Sequence, residues 1–186
     1  MNSLLIDLLL FLAGSAVLLW LSRKALRNPG GHGFYRFFAW EGILSLVVLN
    51  HRPWGEQPFS PHQIVSWLLM SLSIYLVISG YRALRQQGLA NTERQDGALY
   101  EFEKTTTLVT SGIFKHIRHP MYASLLALAW GAFFQEPAWL GGVIAGLSSI
   151  FLLLTAKSDE RECLAYFGES YAAYMKKTRG FIPHVY

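Results

Sequence analysis

Two short clusters of ionisable residues stand beside long apolar stretches, and their residue types suit an ion-binding site. The first cluster spans 118–120 and reads Arg-His-Pro, and the second spans 159–162 and reads Asp-Glu-Arg-Glu. A guanidinium can hold a carboxylate through two parallel hydrogen bonds, and acidic side chains can hold an amino group or a sulfonium. Together the clusters could bind a zwitterionic amino-acid tail beside a cationic sulfur.

The apolar stretches around these clusters predict a helical hairpin that brings them together. One run starts at Pro120 and fades near Phe134, and a Gln-Glu-Pro turn at 135–137 leads into a second run from Ala138 to Ala156. Proline is favourable in the first turn of a helix because its missing N–H would have no partner there. Antiparallel helices place the start of one beside the end of the next, so we expect both clusters at one membrane face.

Three further apolar runs precede the hairpin, at about 3–21, 34–50 and 63–84. At about 1.5 Å per residue each approaches the thickness of the hydrocarbon core. Positive residues follow the first run, whereas a signal peptide carries them in front, so we interpret this run as a retained helix. The sequence therefore predicts an all-α fold: a polytopic bundle of about five transmembrane helices with a cytoplasmic cofactor site in its last third.

Composition supports the membrane interpretation. Hydrophobic residues make up 52% of the 186 residues and charged residues only 15%, whereas soluble domains carry about a quarter charged residues. The net charge of +4 could suggest nucleic acid, but the basic residues flank apolar runs, and we expect membrane lipids instead. With five spans, 15 of the 16 Lys and Arg residues fall on one side and Arg52 on the other. That asymmetry places the C-terminus in the cytoplasm and the N-terminus outside.

The chain divides by composition near residue 85. Residues 1–85 hold the first three predicted helices, and residues 86–186 hold a polar loop, the hairpin at 120–156 and a polar tail. Alternation at 101–105 predicts a short extended stretch. The single cysteine, Cys163, excludes an internal disulfide framework, and the spacing of the histidines does not signal a metal site. Glu41 interrupts the second run, and we expect it to be paired inside the bundle.

Each cluster also has a plain structural interpretation. Arg-His-Pro before a membrane helix can be an interfacial anchor, and acidic residues after a span can be a solvated helix face. The longer strings around the clusters favour a functional interpretation. Residues 111–122 (SGIFKHIRHPMY) resemble a G-x-[YF]-x-x-x-R-H-P-x-Y signature, and residues 159–174 (DERECLAYFGESYAAY) resemble an E-E-x-x-L-x-x-x-F-G-x-x-Y-x-x-Y signature. Both signatures are typical of isoprenylcysteine carboxyl methyltransferases and phospholipid N-methyltransferases, and the likeness covers about residues 108–183.

This resemblance implies an S-adenosylmethionine-dependent methyltransferase that acts on a lipid-like or hydrophobic acceptor entering from the bilayer. It implies no obligate protein partner. The implied cofactor-binding residues are Gly112, Ile113, His119, Pro120, Tyr122 and Glu160. Arg118 and Arg179 would hold an acceptor carboxylate, as in isoprenylcysteine carboxyl methylation, and with Glu160 they form the implied catalytic group. Asp159 stands where the family has Glu, and Cys163 where Leu is usual. The short chain resembles the prokaryotic branch, which implies an inner-membrane location.

Two other functions share these features. Membrane reductases of the sterol type, which use NADPH, have a similar R-H-P region but usually continue with Asn-Tyr, whereas Met121 follows Pro120 here. A non-catalytic membrane protein that keeps the fold is the other alternative. Binding of NADPH would support the first alternative, and failure to bind any cofactor would support the second.

Overall fold

The computed structural model describes residues 3–88 and 105–182, and these residues form α-helices joined by turns. Short 3-10 turns at Ala25–Arg27 and Gly112–Lys115 separate some of the elements. No strand forms within the described ranges, apart from isolated bridge residues. The helices are α1 (Ser3–Ser22), α2 (His32–Leu49), α3 (Pro61–Gln87), α4 (Pro120–Phe133), α5 (Trp139–Phe167) and α6 (Glu169–Lys177).

All five predicted runs are helices, so the all-α prediction is confirmed. The boundaries agree within a few residues except at the end of α5, which continues about three turns beyond the predicted end at Ala156. Polar residues face the protein along this extension, which an apolar-run criterion does not detect. α6 was not predicted, since its nine residues contain no long apolar run. The predicted extended stretch at 101–105 lies outside the described residues except for Thr105.

Three of the described helices, α1, α3 and α5, are long and apolar enough to cross a membrane. α2 has 18 residues but includes Arg36 and Glu41, and α4 has only 14 residues. The number of five spans therefore stays a prediction, as does the division of the chain near residue 85.

The bundle packs α2 against α5 and α3 against α4, with α4 also touching α2 and α5. Small side chains on α4 allow the neighbouring helices to approach its backbone closely. A Cβ at Gly131 would lie 3.0 Å from Met70 Cγ, and Ala129 and Ala132 are fully buried. Small residues at a helix interface let the backbones approach closely, which favours association in lipid. This packing fixes the two ends of α4, one of which lies beside the ionisable clusters.

α1 is the outermost helix and packs on α2. None of its residues is buried, so its apolar side chains suit a lipid environment. Ser15 Oγ donates a 2.7 Å hydrogen bond to Glu41 Oε2, which confirms that Glu41 is paired inside the bundle. Asp7 forms an ion pair with Arg52 near the other end of α1. The contacts of α1 are thus structural and distant from the clusters.

Candidate active site

The two ionisable clusters meet where α4 begins and the polar extension of α5 runs past it. Arg118 Nε and Nη2 each lie 2.8 Å from Glu160 Oε1. Only 13% of the Arg118 side chain and 19% of the Glu160 side chain is exposed. The antiparallel hairpin geometry predicted from the sequence accounts for this meeting of residues 42 positions apart.

Arg118 also ties the C-terminal segment to this place. Its Nη1 donates to the backbone carbonyls of Met175, at 3.3 Å, and Thr178. The backbone N–H of Arg118 donates to the Arg179 carbonyl at 2.7 Å. All three guanidinium nitrogens are therefore engaged by the protein itself. The chain after α6 returns alongside the segment that leads into α4.

His119 lies at the centre of the cluster and is 3% exposed. Its Nε2 is 3.1 Å from Glu160 Oε1, and its Nδ1 is 3.5 Å from Asp159 Oδ2. The ring stacks on Tyr122 with centroids 5.5 Å apart. Burial lowers the pKa of His119, but hydrogen bonding and charge attraction from Asp159 and Glu160 outweigh it, so the pKa lies above the ordinary 6.5. The site thus stabilises the imidazolium form more than water does.

The polar end of α5 presents two different stripes to two cavities. A helix turns about 100° per residue, so residues three or four apart share a face. Asp159, Glu162, Cys163 and Phe167 line the first cavity. The other stripe lines the second cavity and consists of Leu153, Ala156, Lys157 and Glu160. Asp159 and Glu160, although adjacent in the sequence, therefore face different cavities.

The first cavity combines acids with aromatic walls. Its empty space, including the part open to solvent, is about 820 Å³. Tyr174 donates a 2.6 Å hydrogen bond to the Phe114 carbonyl, which fixes part of the wall, and burial raises the pKa of Tyr174 to about 12, so the hydroxyl keeps its proton. Further lining residues are Leu84, Val109, Phe114, His119, Pro120, Tyr122, Tyr171 and Tyr174.

The second cavity is more basic. Lys157 and Arg179 line it together with Phe181, and its empty space, again including open solvent, is about 670 Å³. Arg118 and His119 line both cavities and so stand between them. One ionic cluster therefore separates an acidic, aromatic cavity from a basic one.

The structure distributes the predicted site residues over these two cavities. His119, Pro120 and Tyr122 line the first, while Glu160 and Arg179 line the second and Arg118 borders both. Gly112 and Ile113 immediately precede the wall residue Phe114. The roles of all these residues in binding or catalysis stay predictions.

Sequence reasoning missed one buried residue that contacts this region. His32, at the start of α2, is fully buried and its Nδ1 lies 2.6 Å from Glu162 Oε2. It is 130 positions away from Glu162, and a lone histidine after two glycines carries no periodic or motif signal. The aromatic wall from α6 was also missed, although Tyr171 and Tyr174 have the i, i+3 spacing of one helix face.

This combination of membrane-length helices and an ionic cluster between two cavities at one end of the bundle agrees with a membrane-bound enzyme. A family model described as phospholipid methyltransferase matches residues 61–170. The match covers more than half of the chain, so the chain belongs to the phospholipid methyltransferase family. The match favours the methyltransferase interpretation over the sterol-type reductase.

Three relatives of known name are similar to the chain in sequence. The chain is similar to methanethiol S-methyltransferases of Crocosphaera subtropica, with 25% identity over 125 residues, and of a Pseudomonas species, with 23% identity over 149 residues. These alignments cover 66% and 79% of this chain but 48% and 54% of the relatives. The protein from Pseudomonas deceptionensis is 33% identical over 73 residues, which are 38% of this chain and 26% of that protein. The chain thus spans about half the length of the first two relatives. No solved structure matches.

Proposed function

We propose that the chain transfers a methyl group from S-adenosylmethionine, bound in the first cavity, to a small hydrophobic acceptor. The observation that carries this proposal is the α5 stripe, which directs Asp159 and Glu162 into a cavity that Phe and Tyr side chains also line. Carboxylates stabilise cationic groups, and aromatic faces attract both cations and flat rings. Such a set of walls suits a ligand with an ammonium, a sulfonium and a purine.

The start of α4 completes the fit. The first N–H groups of a helix have no partner within the helix and attract anions. The backbone N–H of His119 is taken by the Gly180 carbonyl at 3.0 Å. The next N–H group, that of Met121, belongs to a lining residue of the cavity and could receive the cofactor carboxylate. The bound cofactor would supply an electrophilic methyl group, while the residues named here hold it, orient it and exclude water.

The engagement of Arg118 favours a neutral or thiol acceptor over a carboxylate held by this arginine. All three of its guanidinium nitrogens already donate to Glu160 or to backbone carbonyls. The relatives are named for methyl transfer to the sulfur of methanethiol, and a thiolate needs no strong general base at the moment of transfer. We therefore propose a small thiol as the first acceptor class.

A carboxylate-bearing or lipid-like acceptor is the second candidate. The observation in its favour is the second cavity, where Lys157 and the exposed Arg179 offer positive charge beside Leu153 and Phe181. An anionic group with an apolar tail could bind there through the bilayer-facing side. In this arrangement Arg179, rather than Arg118, would hold the carboxylate.

We also propose that this end of the bundle faces the cytoplasm, with the N-terminus outside. Lys115, Lys157, Lys176 and Lys177 all lie near it, as the positive-inside rule expects. The methanethiol S-methyltransferases to which the chain is similar come from bacteria, which supports a prokaryotic inner membrane. A membrane-impermeant maleimide should label Cys163 in inverted but not in right-side-out vesicles. The reverse pattern would contradict this orientation.

The experiment that tests the function combines binding with product identification. Calorimetry on the detergent-purified chain should detect S-adenosylmethionine, and Glu162→Gln should weaken the affinity about tenfold, as expected for loss of a charged contact. Glu169→Gln is the matched control, because Glu169 is exposed on α6. The labelled methyl group is then offered to methanethiol, to a prenylated cysteine and to total lipid. An absence of cofactor binding in the unchanged chain would refute the proposal.

The only cysteine gives an independent test of where the cofactor binds. Cys163 lines the first cavity, one residue after Glu162. If the cofactor occupies this cavity, it should slow alkylation of Cys163 by a maleimide, and NADPH should not. Equal alkylation rates with and without S-adenosylmethionine would place its site elsewhere.

A further inference from the structure

His32 forms a two-point contact with the acidic wall of the first cavity. Its backbone N–H donates to Glu162 Oε1 at 2.9 Å, and its Nδ1 lies 2.6 Å from Glu162 Oε2. The histidine side chain is fully buried, whereas the Glu162 side chain is 39% exposed and lines the cavity. The carboxylate is thus held from its protein side and open on its cavity side.

Neighbouring contacts strengthen this arrangement. Ser158 Oγ donates to the Gly30 carbonyl at 2.7 Å and lies 3.3 Å from Glu162 Oε1. The start of α2 is therefore tied to α5 at two positions one helical turn apart. The N–H groups at the start of a helix favour a negative charge. The Glu162 carboxylate, which belongs to α5, therefore accepts a hydrogen bond from the first N–H of α2, and this contact fixes the orientation of the carboxylate.

A carboxylate on an exposed helix face normally samples several rotamers, and binding a ligand has to restrict them. Each rotamer-rich side chain that is immobilised costs about 0.5–1.5 kcal/mol. His32 already holds both oxygens of Glu162, so the side chain loses its rotamer freedom when the protein folds. Ligand binding therefore has no further rotamer entropy of Glu162 to remove. A carboxylate prepared in this way binds a cation more tightly than a mobile one.

From this geometry we infer that His32 is a positioning residue, which orients the Glu162 carboxylate for the cationic part of the methyl donor. The inference rests on the proposed function. His32 lies outside residues 61–170, the region that matches the family. It would give the N-terminal helices a role in cofactor binding in addition to membrane anchoring.

The test compares two substitutions of His32 in the full-length chain, with S-adenosylmethionine affinity measured by calorimetry. His32→Leu removes the side-chain donor and should weaken the affinity about fivefold, since a hydrogen bond to a charged group is lost. His32→Asn keeps an N–H donor near the position of Nδ1 and should stay within about twofold of the unchanged chain. The matched control is His62→Leu, because His62 bonds the Phe134 carbonyl at the opposite end of α4.

A double-mutant cycle separates positioning from general stabilisation. If His32 acts through Glu162, His32→Leu should add no further loss of affinity in a Glu162→Gln background. An equal additional loss in that background, or an unchanged affinity in His32→Leu alone, would overturn the inference. A lower unfolding temperature with unchanged affinity of the folded protein would also overturn it, because that is the result of a purely structural role.

One further variant keeps the test decisive if His32→Leu is unstable. If His32→Leu does not fold, Ser158→Ala replaces it, since it removes the side-chain contact to Glu162 Oε1. A loss of about twofold supports the inference, and unchanged affinity overturns it. The proposed function fails separately, because it predicts binding by the unchanged chain. If that chain binds the cofactor and all His32 variants bind equally well, the positioning role alone is refuted.

Discussion

The two ends of α4 are both tied to neighbouring segments by buried hydrogen bonds, but with different kinds of side chain. At its C-terminal end the partners are neutral: Asn50 Nδ2 donates to the Ala132 carbonyl at 2.8 Å, and Ser66 Oγ to the Gly131 carbonyl at 2.6 Å. At its N-terminal end the partners are ionic, with Arg118 and His119 held by Asp159 and Glu160. We call these the amide end and the ionic end.

The amide end solves a structural problem. The last carbonyls of a helix lack partners within the helix, and an unpaired polar group buried in an apolar environment is costly. Gln63 Nε2 donates to the Gln135 carbonyl at 3.0 Å, and Gln135 Nε2 donates to Ser66 Oγ at 2.6 Å. Neutral donors satisfy these carbonyls with almost no exposure of the side chains. Uncharged groups are sufficient for this task.

The ionic end has more charge than the packing of α4 requires. Three carboxylates, those of Asp159, Glu160 and Glu162, gather around Arg118 and two histidines. Asp159 and Glu162 line the first cavity, and Glu160 lines the second. Buried charge is a weak source of stability because desolvation offsets much of the attraction. The two ends therefore differ in what their polar groups indicate. Neutral buried groups that only satisfy backbone carbonyls indicate a structural role, whereas charged groups that also line a cavity indicate a binding site.

The largest expected effect comes from breaking the ionic end. Glu160→Gln leaves Arg118 and His119 without their shared anion, so we expect the free energy of unfolding to fall by about 2–4 kcal/mol. Thermal unfolding in detergent measures the change, with Glu169→Gln as the exposed control. A stability within error of the unchanged chain would show that the ionic contacts are not a structural necessity.

The next effect comes from the amide end. Ser66→Ala leaves Gln135 Nε2 and the Gly131 carbonyl without this partner in a buried place. We expect the free energy of unfolding to fall by about 1–3 kcal/mol. Cofactor affinity of the folded protein should not change, since Ser66 lies at the far end of α4. Weaker cofactor binding in this variant would contradict the separation of the two ends.

A smaller effect concerns pH and is restricted to the ionic end. Burial and the charge of Arg36 lower the pKa of His32, but its hydrogen bond to Glu162 and the charges of Asp159 and Glu162 outweigh them, so the pKa is raised. The pKa of His119 is also raised. The folded state therefore binds protons that the unfolded state releases. This stabilisation is complete below about pH 6.5 and is lost as pH rises through the folded pKa values.

We therefore expect the unfolding temperature to decrease from pH 6.5 towards pH 9. His119→Asn and His32→Asn should each make this decrease shallower. An unfolding temperature that rises over this interval would show that the histidines are buried in the neutral form.

The smallest effect is expected from an ion pair outside both ends. Arg52→Ala removes the ion pair with Asp7, in which the arginine side chain is 49% exposed. Exposed pairs contribute about 0–1 kcal/mol, so the unfolding temperature and the cofactor affinity should stay nearly unchanged. A large loss would mean that the docking of α1 on α2 depends on this pair.

Much of the fold and part of the site follow from local patterns. The apolar runs predicted five helices because hydropathy depends on the composition of single segments. The order of α4 and α5 predicted that the clusters at 118–120 and 159–162 would lie close together. The end of α5 and the whole of α6 were missed because amphipathic polar helices obtain their stability from packing and not from apolar length. The signature strings identified His119 and Tyr122 as candidate residues of the site, and both line the first cavity.

The sequence by itself thus determined the membrane class, the helical architecture and the family, since these depend on composition and on short strings. The tertiary structure alone decided which acid faces which cavity, because Asp159 and Glu160 are neighbours in the chain but point about 100° apart on a helix. It also decided that Arg118 is occupied and that His32 holds Glu162 across 130 residues. Such contacts depend on the relative placement of whole helices, and no local pattern in the chain records that placement.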